Sequence, residues 1–323
     1  MVIGISTFDF QLSTFMSLLV LGTVAFDTIE TPFGKADRII GGAGVYISWA
    51  ASHFHNDIKL VSVIGDDYPQ AELDALTARG VDVSGIEKRA GEKSFFWAGK
   101  YHMDMNSRDT LITELNVLEN YSPVLPEDYR SPEMLLLGNF APAVQMEVLK
   151  QLKTRPKLVA LDTMNFWMDI AMDDLKEVLK QVDVLIINDE EARQLSGQYS
   201  LVKAARTIRE MGPKYLVIKK GEHGALLFYN EHVFFMPALP LEEVFDPTGA
   251  GDSFAGGFMG YLAKTGDISH ESMKRALVYG SVTASYCVEA FGPNRLKEID
   301  DSALRARTLE FLSLMDVTVE EIR

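Results

Sequence analysis

Short runs of apolar residues alternate with amphipathic stretches along most of this chain, and this alternation limits the folds open to it. From Leu135 onward the apolar runs are LLLGNF, LVALDT, VLIINDE and YLVIKKG, separated by AVQMEVLKQLK, MDDLKEVLKQ and LVKAARTIREMG. Short buried strands separated by helices are typical of a parallel sheet that helices cover on both faces. The segments LLVLGTV, AGVYISWAASHF and KLVSVIGDD continue the pattern toward the N-terminus. The sequence therefore predicts one large α/β domain over residues 16–323.

Two stretches interrupt the alternation. Residues 26–40 contain few apolar residues, and residues 92–118 read as short strands, SFFWAGKYHM and TLITELNVL, around a polar NSRD turn. Strands without accompanying helices, inserted into an α/β chain, favour a small β lid over a cleft. Met16 stands just before the first strand-like run, so we expect residues 1–15 to be an extension outside the fold.

Charge and cysteine content narrow the classes of partner. The chain has 31 Lys and Arg against 46 Asp and Glu, a net charge of −15, which disfavours a broad contact surface for nucleic acid or an anionic membrane. It lacks a run of about 18 apolar residues that would predict a membrane span. Its single cysteine, Cys287, excludes an internal disulfide and fits a reducing cytoplasm. We therefore expect a cytoplasmic protein with small-molecule partners, and neither nucleic acid nor membrane.

The segment DPTGAGDSFAGG, residues 246–257, carries the most chemical information. Gly249 and Gly251 permit a close backbone approach, and the apolar periodicity that follows predicts a helix. A glycine-rich turn that opens a helix presents unpaired N–H groups and the positive end of the helix dipole, which suits an anion. Asp252, in the first turn, could take a proton from an alcohol beside a phosphoryl group. From these residues alone, catalysis and a plain helix-start motif are equally open.

The same segment resembles a known family. DPTGAGD followed by SFAGGF is similar to the C-terminal motif of the ribokinase-like (PfkB) carbohydrate kinases. The resemblance implies a ribokinase-like α/β fold, with a central mostly parallel sheet, helices on both faces and a small β lid. It also implies that Asp252 is the catalytic base and that the amides of Gly249, Ala250 and Gly251 form an anion hole. Asp246 would lie near a phosphate or a monovalent cation.

The resemblance also assigns the acceptor side of the site. Asp27 matches an aspartate that binds two hydroxyls of the acceptor sugar, while a turn-forming Asp is the structural alternative. Gly41 and Gly42 match a double glycine that lets a helix start approach the substrate. Tyr46 stands where many members have an Asn that contacts the sugar, so it would narrow the pocket or stack on a ring. Asn165, one position away from the family's usual spacing, is a further candidate for acceptor binding.

Nucleotide and metal positions are implied by three later segments. Asn188 and Glu191, in IINDEEARQL, match a motif that holds waters around Mg²⁺, although a helix-capping pair explains the same spacing. Their position after a strand favours the functional interpretation, because open α/β sheets bind ligands at the carboxyl ends of their strands. The residues implied to contact the nucleotide are Lys219, Gly221, Gly224, Phe291, Gly292 and Asn294. A solvated lysine and core packing of the phenylalanine are the alternatives for two of them.

These features predict an ATP-dependent kinase that phosphorylates a hydroxyl of a sugar or sugar-like acceptor. ATP and Mg²⁺ are the expected cofactors, with a monovalent cation as a further candidate and a homodimer through the β lid as the candidate assembly. An adenosine-like nucleoside kinase is one alternative, favoured by Tyr46 and the aromatic residues of the lid. A non-catalytic ligand-binding relative is the other, and the intact GAGD sequence argues against it.

Overall fold

The computed structural model describes residues 16–316, so the extension predicted at residues 1–15 lies outside the described residues. Within them the strands are β1 (Leu18–Leu21), β2 (Ala25–Thr31), β3 (Gly34–Gly41), β4 (Ile58–Gly65), β5 (Val81–Arg89), β6 (Phe95–Tyr101), β7 (Arg108–Glu114), β8 (Met134–Leu137), β9 (Leu158–Asp162), β10 (Val184–Asn188), β11 (Tyr215–Lys219), β12 (Ala225–Tyr229) and β13 (His232–Met236). The α-helices are α1 (Ala43–Ser52), α2 (Gln70–Ala78), α3 (Pro142–Gln151), α4 (Asn165–Ile170), α5 (Met172–Leu179), α6 (Asp189–Ser196), α7 (Leu201–Arg209), α8 (Ala250–Thr265), α9 (His270–Cys287), α10 (Asn294–Glu298) and α11 (Asp301–Ser313).

The larger sheet has the strand order β13-β12-β11-β10-β9-β8-β1-β4-β5. Its strands run parallel except at β12 and β13, which pair antiparallel. Alternate side chains of one strand enter separate cores, because successive residues of a strand point to opposite faces. Leu18 and Val20 pack in the core that includes α1, α8 and α9, whereas Leu19 and Leu21 pack in the core that includes α3, α5 and α7. The predicted mostly parallel sheet with helices on both faces is confirmed.

A second sheet, with the order β3-β2-β6-β7, is built from the two stretches that interrupt the alternation. Strands β2 and β6 pair parallel, and the two hairpins pair antiparallel. The guanidinium of Arg38 lies 4.2 Å from the centre of the Phe26 ring and makes an ion pair of 2.6 Å with Asp67. The ion pair with Asp67 ties the small sheet to the loop after β4.

The carboxyl ends of β9, β10 and β11 meet at one edge of the large sheet. They end at Asp162, Asn188 and Lys219, and Asn188 lies opposite Lys219 in the register. Parallel neighbours bring their terminal residues together, so polar side chains far apart in sequence share this edge. In the described part of the chain, no helix has the length and apolar character that crossing a membrane requires.

Candidate active site

The turn before α8 has a backbone that only glycine adopts readily. Gly249 is the N-cap residue, with φ 76°, and a Cβ at this position would collide with the ring of Tyr46. Both the positive φ and the close ring call for a residue without a side chain. The sequence GAGD therefore folds into a tight, half-buried turn at the start of a helix of 16 residues.

The amides of this turn are available to an anion. Among residues 16–316, the N–H groups of Gly249, Gly251 and Asp252 donate no hydrogen bond, whereas Ala250 N donates to Pro247 O at 3.2 Å. Unpaired donors at a helix N-terminus, together with the helix dipole, favour a phosphate-like group. The resemblance implies the amides of Gly249, Ala250 and Gly251. In the structure Asp252 N lacks an acceptor, whereas Ala250 N has one in Pro247 O.

The carboxylate of Asp252 lies beside these amides in a cluster of charged groups. Burial raises the pKa of Asp252 to about 7, the charge of Asp162 raises it as well, and Lys219 and Arg108 oppose the rise. Lys219 Nζ lies 3.6 Å from Asp162 Oδ2 and 2.7 Å from where a Cβ of Gly251 would stand. A carboxylate with this pKa can accept a proton near neutral pH, directly beside an anion-binding turn.

Asn188 and Glu191 form a capping box at the start of α6. Asn188 N donates to Glu191 Oε2, and Glu191 N donates to Asn188 Oδ1, both at 2.8 Å. The helix-capping role that the sequence left open for this pair is therefore observed in the structure. The carboxylate is nevertheless buried, which raises the pKa of Glu191 to about 7, with Lys219 as an opposing charge. Helix capping alone does not account for the burial of this carboxylate at the edge of the sheet.

Asp27 reaches the site from β2 and contacts the double glycine. A Cβ on Gly41 would collide with the carboxylate of Asp27, and Gly42, with φ 94°, is the N-cap of α1. Burial and the charge of Asp246 raise the pKa of Asp27 to about 7, while the amide of Gly42 lowers it. Asp27, Gly41 and Gly42 thus lie together, and their role in binding the acceptor stays a prediction.

Asp246 is fully buried and joins two segments of the site. Its Oδ1 accepts from Thr248 N at 2.8 Å, and its Oδ2 accepts from Gly292 N at 3.1 Å. Burial raises the pKa of Asp246 to about 6. The two hydrogen bonds hold the GAGD turn against the loop that contains Gly292 and Phe291, so this predicted nucleotide segment adjoins the predicted catalytic turn.

Tyr46 lies beneath the turn. Its side chain is 1% exposed, its ring faces Gly249, and its hydroxyl has no hydrogen-bond partner in the described structure. Burial, followed by the charge of Asp246, raises the pKa of Tyr46 well above its ordinary value. The side chain supports the backbone of the turn, and it is covered rather than exposed to a cleft.

Four other predicted residues have local contacts that explain their positions. Asn165 donates to Gln194 Oε1 at 3.0 Å and so faces α6 rather than Asp27. Asn294, which is exposed, donates to Phe291 O at 3.0 Å. A Cβ on Gly224 would collide with Met236 O, which gives this glycine a packing role between β12 and β13. Gly221, with φ 54°, touches the small sheet at Asn106.

Sequence reasoning missed two features of the cluster, the ion pair of Asp162 with Lys219 and the approach of Arg108. Both depend on long-range contacts, since the residues lie on β9, β11 and β7. In the described residues, no group of three or more His, Cys, Asp or Glu could hold a metal directly.

The family model and the relatives of known function point to the same family of kinases. The model of the pfkB family carbohydrate kinases matches residues 33–299, more than half of the chain. A cytidine kinase from Thermococcus kodakarensis is 33% identical over 250 residues, which cover 76% of this chain and 87% of that enzyme.

Solved structures give the same fold. An Escherichia coli protein assigned as a ribokinase II, in complex with ATP and Mg²⁺, superposes with a TM-score of 0.75 at 20% identity, over 93% of this chain and 99% of that one. Aminoimidazole riboside kinase from Salmonella enterica, complexed with aminoimidazole riboside and an ATP analogue, gives 0.72 at 21% identity, over 90% and 99%. At these identities the two likenesses establish the fold, and they confirm the predicted ribokinase-like architecture.

Proposed function

This chain belongs to the pfkB family of carbohydrate kinases, and on that premise we propose how its site transfers a phosphoryl group from ATP to a hydroxyl of a sugar or sugar-like acceptor. One observation carries the proposal. A carboxylate with a pKa near neutrality, Asp252, stands in the same helical turn as three amides that lack acceptors. Proton acceptance and anion binding are the two functions that phosphoryl transfer to an alcohol requires of a protein.

In this mechanism Asp252 takes the proton from the acceptor hydroxyl as its oxygen bonds to the γ-phosphorus of ATP. The bond between that phosphorus and the β,γ-bridging oxygen breaks, and ADP leaves with the electron pair. The free amides of Gly249, Gly251 and Asp252 stabilise the charge on the phosphoryl oxygens. Lys219, next to Gly251, adds a positive charge on the side of the nucleotide.

The residues fit a magnesium ion held through water. Mg²⁺ prefers oxygen ligands and keeps several of its waters, and Glu191 offers a buried carboxylate beside the amide oxygen of Asn188. When bound, the ion would neutralise charge on the phosphates of ATP. The proposed neighbours of the nucleotide remain Gly221, Gly224, Phe291, Gly292 and Asn294. Of these, Gly292 donates a hydrogen bond to Asp246, at the start of the DPTGAGD segment.

The acceptor is proposed to bind at Asp27, Gly41 and Gly42, with Asn165 farther away on α4. A nucleoside is the second candidate for the acceptor class, and the 33% identity to a cytidine kinase favours it. Trp97, which lies opposite Asp27 in the register of β2 and β6, would offer an aromatic face to a base.

Three finer features complete the proposal. The carboxylate of Asp246 is buried and accepts from two amides, and in residues 16–316 no cationic side chain lies within 4.0 Å of it. A monovalent cation bound nearby would compensate its charge. The small sheet acts as the lid, and β7, an edge strand with all seven residues exposed, would pair with a second copy. A cytoplasmic location is favoured by the single cysteine.

An assay of ATP consumption over a panel of sugars and nucleosides, with and without K⁺, tests the proposal. Asp252→Asn should keep its fold and its affinity for ATP, and turnover should fall by about two to four orders of magnitude. Asp267→Asn, an exposed acid beyond the end of α8, is the matched control. Turnover near that of the wild type in Asp252→Asn would remove this carboxylate from the mechanism.

A further inference from the structure

The β6–β7 hairpin is joined to the segment before α8 by one hydrogen bond. Within residues 16–316, β6, β7 and the turn between them bond only among themselves and with β2, except at Tyr101. Thr248 Oγ1 donates to the hydroxyl of Tyr101, at the end of β6, at 3.2 Å. Tyr101 is 5% exposed, although Lys100 and His102 on either side of it are exposed. The hairpin thus places one buried hydroxyl against the loop that leads into the GAGD turn.

Thr248 is held at each of its polar groups. Its N–H donates to Asp246 Oδ1 at 2.8 Å, and its carbonyl oxygen accepts from Cys287 Sγ, at the end of α9, at 3.5 Å. Its hydroxyl is bonded to Tyr101. Thr248 therefore joins three parts of the chain, which are its own loop, α9 and the lid.

The carbonyl of Thr248 and the N–H of Gly249 belong to the same peptide group. A trans peptide is planar, so its C=O and N–H point in opposite directions. Cys287 is fully buried and binds the oxygen from the core, and the N–H of Gly249 therefore points away from the core. In residues 16–316 this N–H is one of the amides of the turn that lack an acceptor. The orientation of this one peptide thus decides where the anion-binding turn directs the amide of Gly249.

The hydroxyl of Tyr101 supplies the third point that fixes this orientation. A residue held at two points can still turn about the line that joins them, and a third point removes that freedom. The thiol of Cys287 is a weak donor, and Gly249 allows its backbone more freedom than any other residue would. The bond from the lid is therefore the restraint that completes the orientation of Thr248.

We propose that Tyr101 is a positioning residue, whose hydroxyl fixes Thr248 and so aims the amide of Gly249 at the phosphoryl group. This inference rests on the proposed function. Tyr101 touches no reacting atom in this role, because it acts through the peptide between Thr248 and Gly249. The anion-binding turn reaches its working geometry only when the lid hairpin lies against it.

The first test is a double-mutant cycle of Tyr101→Phe and Thr248→Val in steady-state kinetics. Each change removes one hydroxyl and little volume. We expect kcat of either variant to fall by about 3- to 10-fold, the value of one hydrogen bond, with the acceptor KM within about two-fold. The double variant should lose no more than either single variant, because both changes remove the same bond. Thr248→Ser keeps the hydroxyl and should recover most of the wild-type kcat.

Tyr121→Phe is the matched control. Tyr121 is also 5% exposed, and its hydroxyl donates to Ser62 O at 2.9 Å in the core on the other face of the large sheet. The control loses a buried hydroxyl as Tyr101→Phe does, and its kcat should stay at the wild-type value. Thermal melts should show that all variants fold.

The second test needs no acceptor. It compares binding of ADP with Mg²⁺ to binding of ADP with Mg²⁺ and aluminium fluoride, which mimics the phosphoryl group in transit. Wild type and Tyr121→Phe should bind more tightly with fluoride, and Tyr101→Phe should lose about 3- to 10-fold of that gain. If the wild type phosphorylates no acceptor, the proposed function fails, while this measurement still decides the role of Tyr101.

Four results would overturn the inference. One is an unchanged kcat in Tyr101→Phe, and another is a double variant whose loss is the product of the two single losses, since the hydroxyls would then act independently. The third is an equal fluoride gain in Tyr101→Phe and wild type, or no gain in either. The fourth is an effect confined to the acceptor KM, which would show that Tyr101 contacts the acceptor instead.

Discussion

The charge of Asp162 should set the pH range in which the site works, and replacing it with Asn tests this. Burial and Asp162 both raise the pKa of Asp252, to about 7 in total, while Lys219 opposes the rise. A nearby charge shifts the pKa of a carboxyl by about one to three pH units, and a like charge shifts it upward. Since Lys219 Nζ stands 3.6 Å from Asp162 and partly compensates it, we take the lower end of that range. Asp162→Asn should therefore lower the pKa of Asp252 by about one pH unit. Lys219 keeps Glu191 and Asp252 as counter-charges, so the isosteric variant should fold.

The assay is the pH dependence of kcat/KM for the acceptor, which reports the pKa of the base in the free enzyme. At pH 6 about a tenth of the wild-type Asp252 would be ionised, against about half in the variant, a gain of about five-fold relative to each plateau. Titration of the substrates is common to both enzymes and cancels in the comparison. Asp173→Asn, an exposed acid of α5, is the control and should leave the profile unchanged. An acid limb that stays in place in Asp162→Asn, or moves to higher pH, would refute the reasoning.

Four further outcomes follow from the contacts. Asp27→Ala should raise the acceptor KM by about ten-fold or more and leave the ATP KM nearly unchanged, and steady-state kinetics with both substrates varied would show whether the effect is confined to the acceptor. Glu191→Gln should raise the Mg²⁺ concentration needed for half-maximal rate, yet keep its thermal stability, because Gln also completes a capping box; an unchanged Mg²⁺ titration would leave only the capping role. Gly249→Ala should lower the free energy of unfolding by roughly 1–3 kcal/mol, measured by denaturant titration, because of its positive φ and the ring of Tyr46. Asp252, whose pKa is raised on folding to about 7, holds its proton more tightly in the folded state, so the stability of the wild type relative to Asp252→Asn should fall as the pH rises from about 4 to about 7; the buried His53, whose lowered pKa acts in the opposite direction, is common to both proteins and cancels in the comparison, and a difference in melting temperature that rises with pH would contradict the shift of Asp252.

The fold was predictable from local sequence because each buried strand is a continuous apolar run. LVALD and VLIIN need no long-range information to be recognised as strands of a parallel sheet, since both of their faces are buried. The two antiparallel strands that extend this sheet, β12 and β13, were harder to predict from the sequence. Residues of β13 such as Val233 and Phe235 are more than half exposed, and an edge strand lacks that continuous burial.

The site was predictable where its chemistry lies in consecutive residues. Gly249 to Asp252 form one turn, and the turn's conformation follows from the glycines themselves. The contacts of Asp162 with Lys219, and the approach of Arg108, depend instead on which strands become neighbours and on where a hairpin folds back. The role of the Ala250 amide, which the resemblance implies, stays a prediction, because sequence cannot show which amide of a turn finds an internal acceptor, here Pro247 O.

The crowding of acids in this site has a physical consequence for ligand binding. Asp27, Glu191 and Asp252 each have a pKa near 7 because burial deprives their charges of water, and the charge of Lys219 opposes this rise at Glu191 and Asp252. Buried charges without full compensation are costly, and the cost is reduced when a cation enters. Mg²⁺ would bring further positive charge to this cluster, and the phosphates of ATP would bring the negative charge that the ion neutralises. Nucleotide and metal should therefore stabilise one another in the site, so that each binds more tightly when the other is present.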